Sequence, residues 1–97
     1  MKARTPYELF GIECGKGWAG LYEPLRERCR AEGIPITQIK EKFGGLRFYV
    51  AGGSDALHAA IEAAEAASFK TCEECGAAGK KRHGSWLRTL CDAHARR

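Results

Sequence analysis

A chain of 97 residues makes one domain, or one domain with a small appendage, and its burial is modest enough for a bound metal to aid folding. No window approaches the roughly 20 apolar residues of a membrane span, and Met1-Lys2-Ala3-Arg4-Thr5-Pro6-Tyr7 lacks the apolar run of a secretory signal, so a soluble cytoplasmic protein with reduced cysteines is expected. The formal charge of +4 is unevenly placed: residues 1–68 carry nine basic and nine acidic side chains, whereas residues 69–97 carry seven basic ones (Lys70, Lys80, Lys81, Arg82, Arg88, Arg96, Arg97) against three acidic.

Residues 1–15 read as irregular, punctuated by Pro6, Gly11 and Gly15, with Tyr7, Leu9, Phe10 and Ile12 free to dock on a core. Trp18, Leu21, Tyr22, Leu25 and Cys29 then recur at helical spacing, and Gly33 with Pro35 supplies a stop. Pro24 interrupts this pattern because it lacks a backbone donor, so either a kink or a later start of the regular helix is expected.

Ile36 to Ala51 predicts a β-hairpin with Gly44-Gly45 as its two-residue turn. Pairing Phe43 with Leu46 places Ile39, Glu41, Phe43, Leu46, Phe48 and Val50 on a core face on which Glu41 is the misfit. Gln38, Lys40, Lys42, Arg47, Tyr49 and Ala51 fall on the other, basic face. Ser54 or Asp55 then caps an alanine-rich helix reaching Ser68, with Leu57, Ile61, Ala64 and Ala60 as its apolar stripe and Glu62 and Glu65 turned to solvent.

The final third carries Cys72, Cys75, Cys91 and His94 in the arrangement C-x2-C-x15-C-x2-H. Two ligand pairs, each with two residues between its members, can close on one tetrahedral ion, and the intervening loop accommodates a hairpin. Gly76 lets the backbone turn after the first pair, Trp86 to Leu90 suits a strand, and Cys91 to His94 begins a helical end. One structural Zn2+ is the expected cofactor. A redox C-x-x-C would leave Cys91 and His94 unexplained. Cys14 and Cys29 lack pair spacing and read as buried thiols, His83 is an irregularly spaced substitute for His94, and His58 reads as partly exposed.

The expected fold class is α+β: a small αββα core over residues 1–68, followed by a treble-clef-like zinc element over residues 69–97, packed as one domain. Catalysis finds few supports. Neither His58 nor His83 belongs to the H-x-E element of zinc deaminases, and a treble-clef nuclease of the His-Asn-His type lacks its asparagine, leaving only His83. Four protein ligands also close the metal's coordination. No catalytic residue and no small-molecule substrate are expected.

Lys40-Glu41-Lys42-Phe43-Gly44-Gly45-Leu46-Arg47-Phe48-Tyr49, Glu13-Cys14-Gly15-Lys16-Gly17-Trp18, and Thr71 to Gly76 with Trp86 to His94 resemble a family of small, largely uncharacterised proteins of tailed bacteriophages and prophages. The resemblance spans about Glu13 to His94, with Lys16 and Gly45 as small departures in turns. It implies a phage-encoded protein of the host cytoplasm that binds a host or phage protein, with inhibition of a bacterial defence complex as one such task. The alternative read from the residues is nucleic-acid binding through Lys40, Lys42, Arg47, Tyr49, Lys80, Lys81, Arg82, Trp86 and Arg88.

Overall fold

The computed structural model describes residues 4–95; Met1 to Ala3 of the polar start, and Arg96 and Arg97 of the C-terminal charge, lie outside them. The segment expected to be irregular contains a helix, α1 (Pro6–Phe10), and a short strand, β1 (Ile12–Glu13). The signal for α1 is local. Thr5 Oγ1 accepts the Glu8 amide at 3.1 Å while the Glu8 carboxylate accepts the Thr5 amide at 2.8 Å, a capping box with Pro6 in the first helical turn.

A single 3-10 turn (Lys16–Trp18) leads into helix α2 (Ala19–Glu32). The helix runs through Pro24 rather than beginning there, and Gly33 ends it in the left-handed conformation. Tyr22, Leu25 and Cys29 lie on its buried face, so tertiary burial offsets the backbone bond that proline removes.

Strands β2 (Ile36–Lys42) and β3 (Gly45–Val50) form the expected hairpin in a shifted register. Lys42 pairs with Gly45, which makes Phe43-Gly44 the two-residue turn instead of Gly44-Gly45. Both turn residues have positive φ, 54° and 84°, as a type I′ turn demands. Phe43 therefore leaves the core face and is 61% exposed. A register shift of two leaves the other side chains on the faces the alternation assigns, with Ile39 opposite Phe48 and Glu41 opposite Leu46. The Glu41 carboxylate accepts the Gly44 amide at 2.7 Å, which accounts for an acid on the inner face.

β1 joins β2 in parallel, with Ile12 beside Ile39, giving a three-stranded sheet in the order β1-β2-β3. Helix α3 (Asp55–Ser68) is capped by Ser54 Oγ, which accepts the Leu57 amide at 3.1 Å. Its Leu57 and Ile61 meet Trp18, Tyr22, Leu25 and Cys29 over Ile39, Leu46 and Phe48 in one core. Glu65 does not face solvent as the helical stripe suggested. Its carboxylate accepts the Phe48 amide at 2.9 Å, and Ser68 Oγ accepts the Leu46 amide at 2.8 Å. Side chains of α3 thus occupy the free edge of β3, where unpaired backbone donors would otherwise invite another strand.

The remaining elements are a two-stranded antiparallel sheet of β4 (Lys80–Arg82) and β5 (Arg88–Leu90), then a single helical turn, α4 (Asp92–Ala95). The molecule is a small mixed α/β protein with its cysteine and histidine cluster near the C-terminus. No described helix is long and apolar enough to cross a membrane.

Candidate metal centre

Residues Cys72 to Cys75 form a tight turn in which the Gly76 amide donates to the Cys72 carbonyl at 2.9 Å and the Cys72 amide to the Ala77 carbonyl at 2.8 Å. The other half comes from the end of β5: the Ala95 amide bonds the Cys91 carbonyl at 2.9 Å, so Cys91 and His94 lie one turn apart. Arg82 braces that half, donating to the Leu90 carbonyl at 3.1 Å and to Asp92 Oδ1 at 2.7 Å.

The ligand atoms of Cys72, Cys75, Cys91 and His94 lie within 4.8 Å of one another. Cys75 Sγ to Cys91 Sγ is 3.7 Å, Cys72 Sγ to His94 Nδ1 is 3.6 Å, and Cys91 Sγ to His94 Nδ1 is 3.2 Å. A tetrahedron built on Zn–S of about 2.3 Å and Zn–N of about 2.0 Å has edges of roughly 3.8 Å between sulfurs and 3.5 Å between sulfur and nitrogen. The quartet fits a metal ion, with Nδ1 as the imidazole donor. It is the only group of its kind among the described residues, and all five cysteines are free thiols.

Electrostatics suit cation capture. Burial acts to raise the Cys72 thiol, but backbone hydrogen bonds from Cys91, Cys75 and Glu74 outweigh it and hold the group at about 6. Hydrogen bonds from the backbone and side chain of His94 lower Cys91, while His94 is raised by Cys91 and Cys72. Cys14 differs: burial, followed by the charges of Glu73 and Glu41, pushes it up to about 12. Neither Cys14 nor Cys29, which is buried in the core, belongs to the cluster.

The turn bearing the first ligand pair is seated on the α/β core. Trp18, wholly buried, donates its indole N–H to the Thr71 carbonyl at 2.8 Å, and the Gly17 amide donates to the Glu73 carbonyl at 2.7 Å. Glu73 is buried between its neighbours; its carboxylate accepts the Gly15 amide at 2.9 Å and lies 3.7 Å from Arg88. From the other side, the Glu73 amide donates to the Thr89 carbonyl at 3.0 Å, and Thr89 Oγ1 donates to the Gly44 carbonyl at 2.6 Å. Gly15 to Trp18 is thus the socket for the metal-binding turn, a role that the run's residue types do not announce.

The nine candidate partner-binding residues separate into groups. Lys40, Lys42, Arg47 and Tyr49 share the outer face of the β1-β2-β3 sheet. Gly45 is on that face, and the Phe69 ring packs against it so closely that a Cβ would sit 2.3 Å from Cζ. Lys81 Nζ lies 5.0 Å from the centre of that ring and its Cε 3.4 Å from where a Cβ at Gly44 would be, which places Lys81 at the hairpin tip that Lys42 and Gly45 close. Lys81 and Thr89 share one side of the β4-β5 pair, so Lys80, Arg82 and Arg88 take its opposite side. There Arg82 is paired with Asp92, and Arg88 lies 3.7 and 3.6 Å from Glu73 and Glu74. Trp86, 71% exposed, lines a cavity of about 370 Å³ with Glu41, Phe43, Ser85 and Leu87, on the acidic side of the hairpin tip. His83 is exposed and outside the cluster, and His58 is held by Gly52, whose carbonyl lies 2.8 Å from Nε2.

No protein-family model, curated protein or solved structure matches this chain. The class that fold and site define is a small mixed α/β protein with a Cys3His group able to hold a metal ion.

Proposed function

We propose that this is a zinc-stabilised, non-catalytic binding protein in which Cys72, Cys75, Cys91 and His94 hold one structural Zn2+ in a treble-clef-like arrangement of turn, hairpin and helix. The observation that carries this reading is the convergence of four protein ligand atoms within 4.8 Å, three of their separations being close to tetrahedral edge lengths; four such ligands would fill a tetrahedral sphere and leave no corner for water or substrate. Bound zinc fastens β4, β5 and α4 to the turn seated on Trp18, and so sets the shape of the surface around it. The phage resemblance of the central decapeptide supports an accessory factor of the host cytoplasm that acts by occupying a host or phage macromolecule, blockade of a defence complex being the task that such a factor performs without chemistry.

Elemental analysis of protein purified without chelator tests the metal, with one zinc per chain expected. Replacement by Co2+ tests the closed sphere: intense tetrahedral d–d bands with thiolate charge transfer support it. Zinc near zero, or a weak five-coordinate cobalt spectrum, overturns the reading.

A further inference from the structure

The sheet has two faces, and the helices cover one. Helices α2 and α3 bury Ile39, Leu46 and Phe48, and α1 lies beside α2, where Arg26 Nε donates to the Tyr7 hydroxyl at 3.1 Å. The opposite face carries Lys40, Lys42, Arg47 and Tyr49 and is extended by Lys81 over the Phe69 ring. None of these four cations has an acidic partner within ion-pair distance among the described residues, and Arg47 Nε is buried without a hydrogen-bond acceptor. The face's one acid, Glu13, sits at its β1 edge, where its carboxylate takes the Gln38 amide at 3.2 Å.

We propose that this uncovered sheet face, lengthened by Lys81, binds single-stranded nucleic acid. The inference rests on the binding-protein reading above and names the partner. Side chains on one face of a strand repeat about every 6.6 Å, so the Tyr49, Arg47 and Lys42 rows span about 13 Å before Lys81 continues the line. That is a track of positive charge beside a ring, and the ring is 41% exposed. Backbone phosphates satisfy the cations, while Tyr49 offers a stacking surface to an unpaired base. A duplex hides its base faces and cannot use that ring. An acidic protein would find charge here, but the cavity beside Trp86 that could anchor an apolar side chain lies across the hairpin tip, next to Glu41.

The test uses the full-length zinc-loaded protein and a short fluorescent oligo(dT), followed by anisotropy from about 50 to 200 mM salt. Four phosphate contacts on a single strand give a slope of log affinity against log salt near −2.8, that is about 0.7 per contact. Lys42→Gln and Lys81→Gln, both at exposed positions, should each flatten the slope by about 0.7. Tyr49→Ala should weaken binding roughly 5- to 100-fold with the slope unchanged. Lys80→Gln, on the other side of β4-β5, should alter neither.

Absence of binding at about 50 mM salt overturns the proposal, as does tighter binding of the matching duplex, equal competition by polyglutamate, or a Lys80→Gln effect as large as that of Lys42→Gln. Zinc measured in the same samples separates the two readings. One zinc per chain without oligonucleotide binding removes the partner and leaves the zinc-stabilised fold; a zinc-free protein removes the fold argument, and the placement of Lys81 with it.

Discussion

Two glycines three residues apart should respond to alanine in opposite directions. A Cβ at Gly17 would lie 2.3 Å from the Cys72 carbonyl oxygen, 2.4 Å from that of Glu73 and 2.5 Å from the Glu73 carbonyl carbon, all of them backbone atoms of the metal-binding turn. None can rotate away, so Gly17→Ala must push the turn off its socket. Retreat strains the Gly17–Glu73 bond of 2.7 Å and the Trp18–Thr71 bond of 2.8 Å. Overpacking of about 1 to 3 kcal/mol, with one of these hydrogen bonds lost at about 1 kcal/mol, gives a loss of roughly 2 to 4 kcal/mol. At about 4 to 8 °C per kcal/mol for a domain of this size, Tm falls by on the order of 10 to 30 °C.

At Gly20, within α2, an added Cβ meets nothing within 4 Å. Gly20→Ala should therefore gain about 0.5 to 1 kcal/mol from helix propensity and a less flexible unfolded chain. The assay is thermal melting by circular dichroism in excess zinc, with metal content measured on each sample. Both variants should keep one zinc per chain, because neither residue is a ligand. A Gly17→Ala protein melting within a few degrees of the parent would refute the seating of the turn on residues 15–18. So would a shift of the same sign in both variants.

Cys75→Ser should abolish stoichiometric zinc and loosen residues 70–95, while Cys14→Ser should leave metal content unchanged; equal zinc in both proteins by elemental analysis contradicts the quartet. Acidification should release the metal. Cys72 has a folded value of about 6, below its ordinary one, so its contribution is present above the unfolded value and lost as pH falls through the folded one. Zinc transfer to a chromophoric chelator should rise as pH falls, because protons compete with the metal for three thiolates and an imidazole, and transfer independent of pH would be inconsistent. Ser68→Ala strands the buried Leu46 amide and should cost about 1 to 3 kcal/mol in urea unfolding, whereas an unchanged midpoint would mean that the edge of β3 finds another acceptor.

Much of this architecture is legible where the chain's signals are local. The α2 stripe, the hairpin, the Ser54 cap and the paired metal-ligand spacing each need only neighbours within a few residues, and each element forms there. The capping box at Thr5 and Glu8 was equally local, yet the glycines and proline around it pointed to irregular chain. The hairpin turn misled for a different reason. Gly44-Gly45 offers two flexible residues, but Gly45 is needed in the strand, where its missing side chain admits the Phe69 ring, and Phe43 takes the left-handed position instead.

The sequence by itself determined which four residues can hold a metal, because ligand chemistry and a spacing of two residues are encoded within single turns. It also determined that positive charge concentrates toward the C-terminus. The tertiary structure alone decided what that charge can do. Arg82 and Arg88 are drawn into ion pairs, Trp86 sits beside Glu41, and Lys81 joins Lys40, Lys42 and Arg47 across a ring that packs on Gly45. It alone made Gly15 to Trp18 a socket. The physical reason is that a shared surface depends on contacts between residues 10 to 58 positions apart, and these are fixed by close approach of backbones and by burial, for which neither composition nor periodicity carries a signal.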